Sequence, residues 1–398
     1  MIKNKEENVK ILEEYLKNKD YDEIDILDLM RFIGIHFGTG MKEDVSITEL
    51  QDKIKLKDNV VFIILDGFGY KKASSLKESS LLKKHLVRSI ETVNPTSTAC
   101  VLTSLASGKY PSEHGTFGWW QYSKKHDLNY YPILFKGRKT EEDLSKSGYK
   151  IKDLLNFDSI LDKFKCSINV YMNRDFINSE FSNLFSGKNS NKIGIISIQD
   201  AFNKMAENIN NNGRKSFEHL YIEGLDTCSH QYGVDSKEVA DILKEIEDGI
   251  EYLRDNVKDT TIILTADHGQ IDMASMIYLN KNREYSKCFY AFPSIDTRII
   301  SFFVKEECKE QFEEDFINDF GEDVILLTKA QAEKYRLFGD TEYSDEANNS
   351  IGDYIAIVVS DKFMICDKVS LEDRVYTKGN HSGITDDETK IPLIVIND

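Results

Sequence analysis

A chain of 398 residues, 40% hydrophobic and 30% charged, has the composition of a folded globular protein and is long enough for one large or two ordinary domains. With 51 basic against 68 acidic side chains the formal net charge is −17, which argues against stable nucleic-acid binding or an anionic membrane surface as partner, because each requires a basic face. A small phosphate ester held at a local cation is compatible with that charge.

The opening segment, MIKNKEENVKILEEYLKNKD, holds no apolar run of signal-peptide length, and no later segment is long enough for a membrane span, so a cytoplasmic location and no membrane partner are expected. Residues 1–57 read as a helical N-terminal extension: NVKILEEYLKNK and IDILDLMRFIGIHFG both repeat apolar residues at helical spacing. The strongest strand signal follows, NVVFIILDGFG, a continuous apolar run that ends in an acid and glycines. Such runs suit a parallel strand covered on both faces. Next comes PTSTACVLTSLASG, a helix-like apolar segment carrying six hydroxyls: Thr96, Ser97, Thr98, Thr103, Ser104 and Ser107. GTFGWWQY then groups Trp119, Trp120 and Tyr122, which suits stacking on a nucleobase or ordinary core packing equally well.

Further apolar runs are CSINVYM (166–172), FEHLYIEGLD (217–226), TTIILTADHG (260–269), TRIISFFV (297–304), DYIAIVVS (353–360) and IPLIVI (391–396). Helical patterns separate them. The clearest is DSKEVADILKEIEDGIEYLRDNV, with a stripe of Val239, Ile242, Leu243, Ile246, Ile250 and Leu253 and a capping box expected at Asp235 and Glu238. Alternating strands and helices predict an α/β fold with a largely parallel central sheet. Five prolines and no Gly/Ser-rich tract leave no flexible linker, so the organisation expected is an extension over 1–57 and a main domain over 58–398, with a small cap within 275–350. The six cysteines (Cys100, Cys166, Cys228, Cys288, Cys308, Cys366) form no CxxC pair and read as reduced thiols.

Three apolar runs stop at acid or histidine. FIILDGFG ends at Asp66, LYIEGLDTCSH at Asp226 with His230 four residues on, and IILTADHG at Asp267 and His268; a further imidazole, His381, lies in KGNHSG before the last run. Sites in open α/β sheets form outside the carboxyl ends of the strands, so these ends converge. Taken singly, each has an ordinary structural reading: Asp66 as a turn residue, Asp226 as an N-cap, Asp267 and His268 as a cap beside a satisfied imidazole, and the hydroxyls at 96–98 as a helix cap. Taken jointly, six oxygen and imidazole ligands without thiolate suit two divalent cations, zinc first and manganese second. A cation pair is the usual clamp for displacement at phosphorus, and a hydroxyl beside it can ionise near neutral pH.

The blocks VVFIILDGFG, NPTSTACVLTSLASGKYPSEHG, YIEGLDTCSHQYG, IILTADHG and GNHSGITDDETKIPLIVI, in that order, resemble the alkaline phosphatase superfamily, in particular its type I phosphodiesterase/nucleotide pyrophosphatase branch. The resemblance covers roughly residues 58–398 and is weakest over 120–215. It implies an alkaline phosphatase-like three-layer fold, a first metal held by Asp226, His230 and His381, and a second held by Asp66, Asp267 and His268. It also implies that Thr98, ten residues before Gly108, is the nucleophile that touches the metals and carries a covalent phosphoryl group. One departure is Val101, where nucleotide pyrophosphatases usually carry an asparagine that holds a phosphate oxygen; the backbone N–H of Ala99 is the substitute donor expected. The arginine with which monoesterases grip a terminal phosphate has no counterpart by pattern, which favours diesters.

The reading that follows is a two-metal phosphodiesterase or nucleotide pyrophosphatase acting on a small phosphate ester, a nucleotide among the options, with Trp119 and Trp120 against the substrate. A phosphomonoesterase or mutase-like phosphotransferase on the same scaffold is the alternative enzyme. A catalytically silent metal-binding module is the alternative from another class.

Overall fold

Successive side chains of a strand point to opposite faces, so a strand buried at every position must be covered on both. This holds for Thr260–Thr265, and for all but the first residue of Asn59–Leu65, in the computed structural model, which describes residue 10, residues 23–366 and residues 377–397. Both strands sit inside a seven-stranded sheet made of β1 (Asn59–Leu65), β2 (Leu86–Glu91), β3 (Ser167–Asn173), β4 (Asn191–Ile195), β5 (Ser216–Ile222), β6 (Thr260–Thr265) and β7 (Lys390–Ile396). Their spatial order is β2-β7-β6-β1-β5-β3-β4. Strand β7 runs antiparallel to both neighbours, and every other pairing is parallel. The fold is α/β with a largely parallel central sheet.

Two apolar runs do not join this sheet. TRIISFFV and DYIAIVVS supply Ile299–Phe302 and Tyr354–Val358, which pair antiparallel with each other in a separate four-stranded sheet completed by Ser294–Ile295 and Val324–Thr328. A continuous apolar run records that both faces are covered, and here they are: Phe312 and Phe316 belong to one hydrophobic cluster on this sheet, Leu337 and Ile351 to another. It does not record the direction of pairing.

At the N-terminal side, the helix Ile26–His36 is capped by Asp25, whose carboxylate accepts the N–H groups of Leu27 and Asp28. Its Leu29 and Ile33, with Ile47 and Leu50 of the helix Val45–Lys53, are buried in the same core as β1. The pattern NVKILEEYLKNK lies outside the described residues apart from Lys10, which is helical. The amphipathic helix at Lys237–Asn256 buries Val239, Leu243, Ile246, Ile250 and Leu253 of the predicted stripe and leaves Ile242 half-buried, but its cap is Ser236, whose hydroxyl accepts the Val239 N–H; Asp235 instead pairs with Lys72 at 2.8 Å. The capping signal was displaced by one residue because Ser and Asp both cap well and stand side by side. Among the described residues no helix is long and apolar enough to cross a membrane, and all six cysteines are free thiols.

Candidate active site

Strands β5, β1 and β6 are direct neighbours, with Leu65 registered against Ile222 and Ile64 against Thr265, so their carboxyl ends lie side by side. Asp66 follows β1 at once, and its N–H donates to the Ile222 carbonyl at 3.0 Å, which pins the turn to β5. Gly67 takes φ +76°, and a Cβ there would lie 3.3 Å from both the backbone and side chain of Asp226, so the turn passes close beside that carboxylate. Beyond β5 the chain enters the helix Gly224–Tyr232, which stacks Asp226 and His230 one turn apart on a single face. Asp267 and His268 follow β6, and His381 comes from the loop before β7.

These six side chains meet. His230 Nε2 lies 3.3 Å and His381 Nε2 3.7 Å from the same Asp226 Oδ1. His268 Nε2 lies 3.4 Å from Asp66 Oδ1 and 3.5 Å from Asp267 Oδ2, and its ring stacks on His381 at 3.7 Å. Potential ligand atoms of Asp66, Asp267 and His268, and those of Asp226, His268 and His381, each fall within 4.8 Å of one another.

The hydrogen bonds decide which atoms are offered. His230 Nδ1 faces the Gly379 carbonyl at 2.7 Å, His268 Nδ1 the Gly269 carbonyl at 3.1 Å and His381 Nδ1 the Thr96 carbonyl at 2.8 Å. A carbonyl only accepts, so each Nδ1 carries a proton, and Nε2 is the ring atom left facing the carboxylates. The carboxylates are divided in the same way. Asp66 Oδ2 accepts from the Tyr221 hydroxyl while its buried Oδ1 has no partner; Asp267 Oδ1 accepts from the N–H groups of Gly67 (3.2 Å) and His268 (2.9 Å) while its buried Oδ2 has none. Burial, and then the neighbouring Asp267 and Asp226 charges, hold the Asp66 carboxyl well above its usual range; burial pushes Asp226 up to about 7. Burial lowers His230 and drives His381 well below the ordinary imidazole value. Crowded carboxylates beside imidazoles whose Nδ1 is already committed fit a bound cation, which inverts the unfavourable charge balance.

Thr98 opens the helix Thr98–Ser107, and its Oγ1 lies 3.2 Å from His268 Nε2. Of the three consecutive hydroxyls it is the half-exposed one; Thr96 and Ser97 are buried and otherwise engaged. Thr96 Oγ1 donates to the Gly383 carbonyl and accepts the Ser382 N–H, tying down the loop that carries His381. Ser97 donates to Asp296 at 2.8 Å, and Ser104 accepts from buried His114 at 2.8 Å while donating to the Cys100 carbonyl. The hydroxyl-rich stretch therefore holds one hydroxyl open to the site and several structural ones.

Two cavities meet at Thr98, Trp119 and Asp226. One, of about 590 Å³, is polar in part, with Trp120, Arg138, His230 and Asp296; the other, of about 630 Å³, is walled by Leu102, Ile133, Phe176, Phe181 and Phe185. Trp119 and Trp120 are thus half-buried cavity walls, with the Arg138 guanidinium 4.5 Å over the Trp120 ring. Ala99 is buried beneath Thr98 as the second helical residue, where its N–H has no intrahelical acceptor.

Sequence reading missed Tyr221, Gln270 and Asp296. Tyr221 donates to Asp66, and Gln270 Nε2 donates to Asp226 Oδ1. Asp296 is a half-buried carboxylate beside the His230 group, raised by burial. It also missed the fully buried pair Arg298–Glu388, 2.7 Å apart, whose only sequence signal is a lone arginine at the head of an apolar run.

The profile of the type I phosphodiesterase / nucleotide pyrophosphatase family matches residues 60–384. The chain belongs to this family of phosphoric ester hydrolases. Rat ectonucleotide pyrophosphatase/phosphodiesterase family member 7 is 33% identical over 89 residues, which are 21% of this chain and only 19% of that protein, so the match spans about a fifth of the relative. Murine ectonucleotide pyrophosphatase/phosphodiesterase 5 is similar in structure, with TM-score 0.63 and 16% identity over 84% of this chain and 87% of that one; an inactive variant of it was solved in complex with AMP. Phosphonoacetate hydrolase from Sinorhizobium meliloti 1021, in complex with phosphonoformate, superposes with TM-score 0.60 and 14% identity over 84% of this chain and 89% of that one. At these identities the structural likeness speaks for the fold.

Proposed function

We propose that the chain is a two-metal phosphodiesterase or nucleotide pyrophosphatase working through a phosphoryl group on Thr98. The observation that carries the reading is the set of imidazole Nε2 atoms and partnerless carboxylate oxygens gathered beside one half-exposed hydroxyl. Asp226, His230 and His381 would hold one divalent cation and Asp66, Asp267 and His268 the other, zinc by donor type with manganese as the alternative. Bound there, the pair would lower the pKa of the Thr98 hydroxyl and neutralise charge on the phosphoryl oxygens.

Thr98 Oγ1 attacks phosphorus, a new O–P bond forms, and the bond to one ester arm breaks; that arm leaves with the proton from the threonine hydroxyl. Water then attacks the same phosphorus and releases Thr98. The Ala99 N–H at the helix N-terminus donates to a phosphoryl oxygen, which fills the role left open by Val101. The cavities on both sides of Thr98 favour phosphorus bearing two substituents, a diester or a pyrophosphate, over a monoester. Trp119 and Trp120 suit an aromatic arm such as a nucleobase, in line with AMP in the murine neighbour.

The test compares bis(p-nitrophenyl) phosphate with p-nitrophenyl phosphate on the zinc- and manganese-loaded chain. Diester preference is expected, and Thr98→Ala should cut kcat by about 10³-fold or more while fold and metal content stay unchanged. Preference for the monoester would move the protein to the phosphomonoesterases. Full activity of Thr98→Ala would end the covalent scheme.

A further inference from the structure

Ser97 occupies the N-cap of the Thr98–Ser107 helix with the extended backbone a cap requires (φ −120°, ψ 133°), yet its side chain makes no capping hydrogen bond. Serine in that place ordinarily turns its oxygen onto a first-turn N–H. Here the hydroxyl is drawn the other way and donates to Asp296 Oδ2 at 2.8 Å, while Asp296 Oδ1 is fixed by the Thr297 N–H at 2.8 Å. The hydroxyl donates to Asp296, whereas in a cap its oxygen would accept an N–H; the orientation that makes the charge-assisted bond to the carboxylate leaves no capping bond.

We propose that Asp296 is a positioning residue: by holding the Ser97 hydroxyl off the helix N-terminus, it keeps the first-turn N–H groups beside Thr98 available to a phosphoryl oxygen. Asp296 does this from another part of the fold. It follows the short strand Ser294–Ile295 of the smaller sheet, and Ile295 sits at φ +82°, a strained conformation for a β-branched residue. The strain is held by two backbone hydrogen bonds, Trp120 N–H to the Ile295 carbonyl (3.0 Å) and Ile295 N–H to the Trp120 carbonyl (2.8 Å). Gly118 makes room for them, since a Cβ at that position would meet the Ile295 carbonyl oxygen at 2.5 Å. The segment that supplies the tryptophan wall thus also aims the carboxylate.

The inference rests on the phosphoryl-transfer reading, and a double-mutant cycle read in two ways separates them. In Asp296→Ala the serine hydroxyl falls back onto the helix, so diester kcat/KM drops by about 10²-fold, the loss typical of one oxyanion donor. In Ser97→Ala no hydroxyl is left to fall back, and the rate changes by less than about threefold; the Ser97→Ala, Asp296→Ala double variant recovers to that level. Calorimetric binding of orthovanadate to the metal-loaded chain should follow the same pattern, weaker in Asp296→Ala and restored in the double variant. The vanadate readout stands even if no diester is turned over, an outcome that sinks the functional reading alone. A double variant as impaired as Asp296→Ala, in rate and in vanadate binding, means that Asp296 acts directly on substrate or cations and overturns the proposal. An Asp296→Ala protein that binds vanadate as the parent does also overturns it.

Discussion

In the proposed metal site Tyr221 orients Asp66 without offering itself as a ligand. Burial, followed by the Asp66 charge, raises its phenol far above the ordinary value, so it stays protonated and donates to Asp66 Oδ2, leaving Oδ1 as the free oxygen. Removing that donor lets the carboxylate rotate and weakens it as a ligand. Tyr221→Phe is therefore expected to cost about 10- to 100-fold in affinity at the Asp66, Asp267 and His268 group, measured by chelator competition, with little change at the Asp226 group. Equal losses at both groups would show that the phenol supports the site as a whole instead. The residues legible in the sequence were those that end apolar runs, because the end of a run is visible along the chain. Tyr221 sits inside a strand run and Gln270 just beyond one; their signal is a partner across space, Asp66 and Asp226 respectively, and one-dimensional spacing carries no trace of it.

Among the elements, the central strands were legible and the edges were not, for a physical reason. Strands β1 and β6 are covered on both faces and read as unbroken apolar runs, whereas β2 and β4 close the sheet at its two ends, keep several half-exposed or exposed positions, and so mix polar residues into LVRSIE and NKIGI. The Thr98–Ser107 helix was legible as apolar, but what braces it was not. Ser104 on that helix receives a hydrogen bond from His114 Nε2, and His114 Nδ1 accepts the Thr116 N–H at 3.0 Å, an arrangement only the neutral ring can make. Burial pushes this imidazole down to about 3. The unfolded chain takes up the proton near pH 6.5 and the folded chain does not, so stability is flat above about pH 6.5 and falls as pH drops from there toward 3, by about 1.4 kcal/mol per unit from this group. His114→Asn keeps an acceptor for Thr116 and should lose that share of the slope. Urea unfolding of parent and variant between pH 7 and 4.5 measures the difference; parallel curves would mean that His114 is not the acid-sensitive group.

At the scale of the whole molecule, the alternation of apolar runs gave the α/β class, but not the partition of those runs between two sheets, since pairing depends on contacts far apart in sequence. The junction between the sheets bears on the site. Arg298, just ahead of the Ile299–Phe302 strand of the smaller sheet, donates through Nε and Nη2 to the two oxygens of Glu388 at 2.7 and 3.0 Å, and through Nη1 to the Ser360 and Lys362 carbonyls. Glu388 also accepts the Gly383 N–H at 2.8 Å, and the Arg298 N–H donates to Ser382, so the same buried pair fixes the turn directly after His381. Breaking such a pair on one side leaves an uncompensated buried charge, which costs about 3–5 kcal/mol. Glu388→Gln is expected to lower unfolding stability by an amount of that order, and also to loosen the His381 loop. Metal titration of the folded variant should then show weaker binding at the Asp226, His230 and His381 group, with the Asp66 group less affected. Stability lost with both affinities intact would make the pair a structural clasp only, with the placement of His381 resting on other contacts, among them the Thr96 and Asn380 hydrogen bonds.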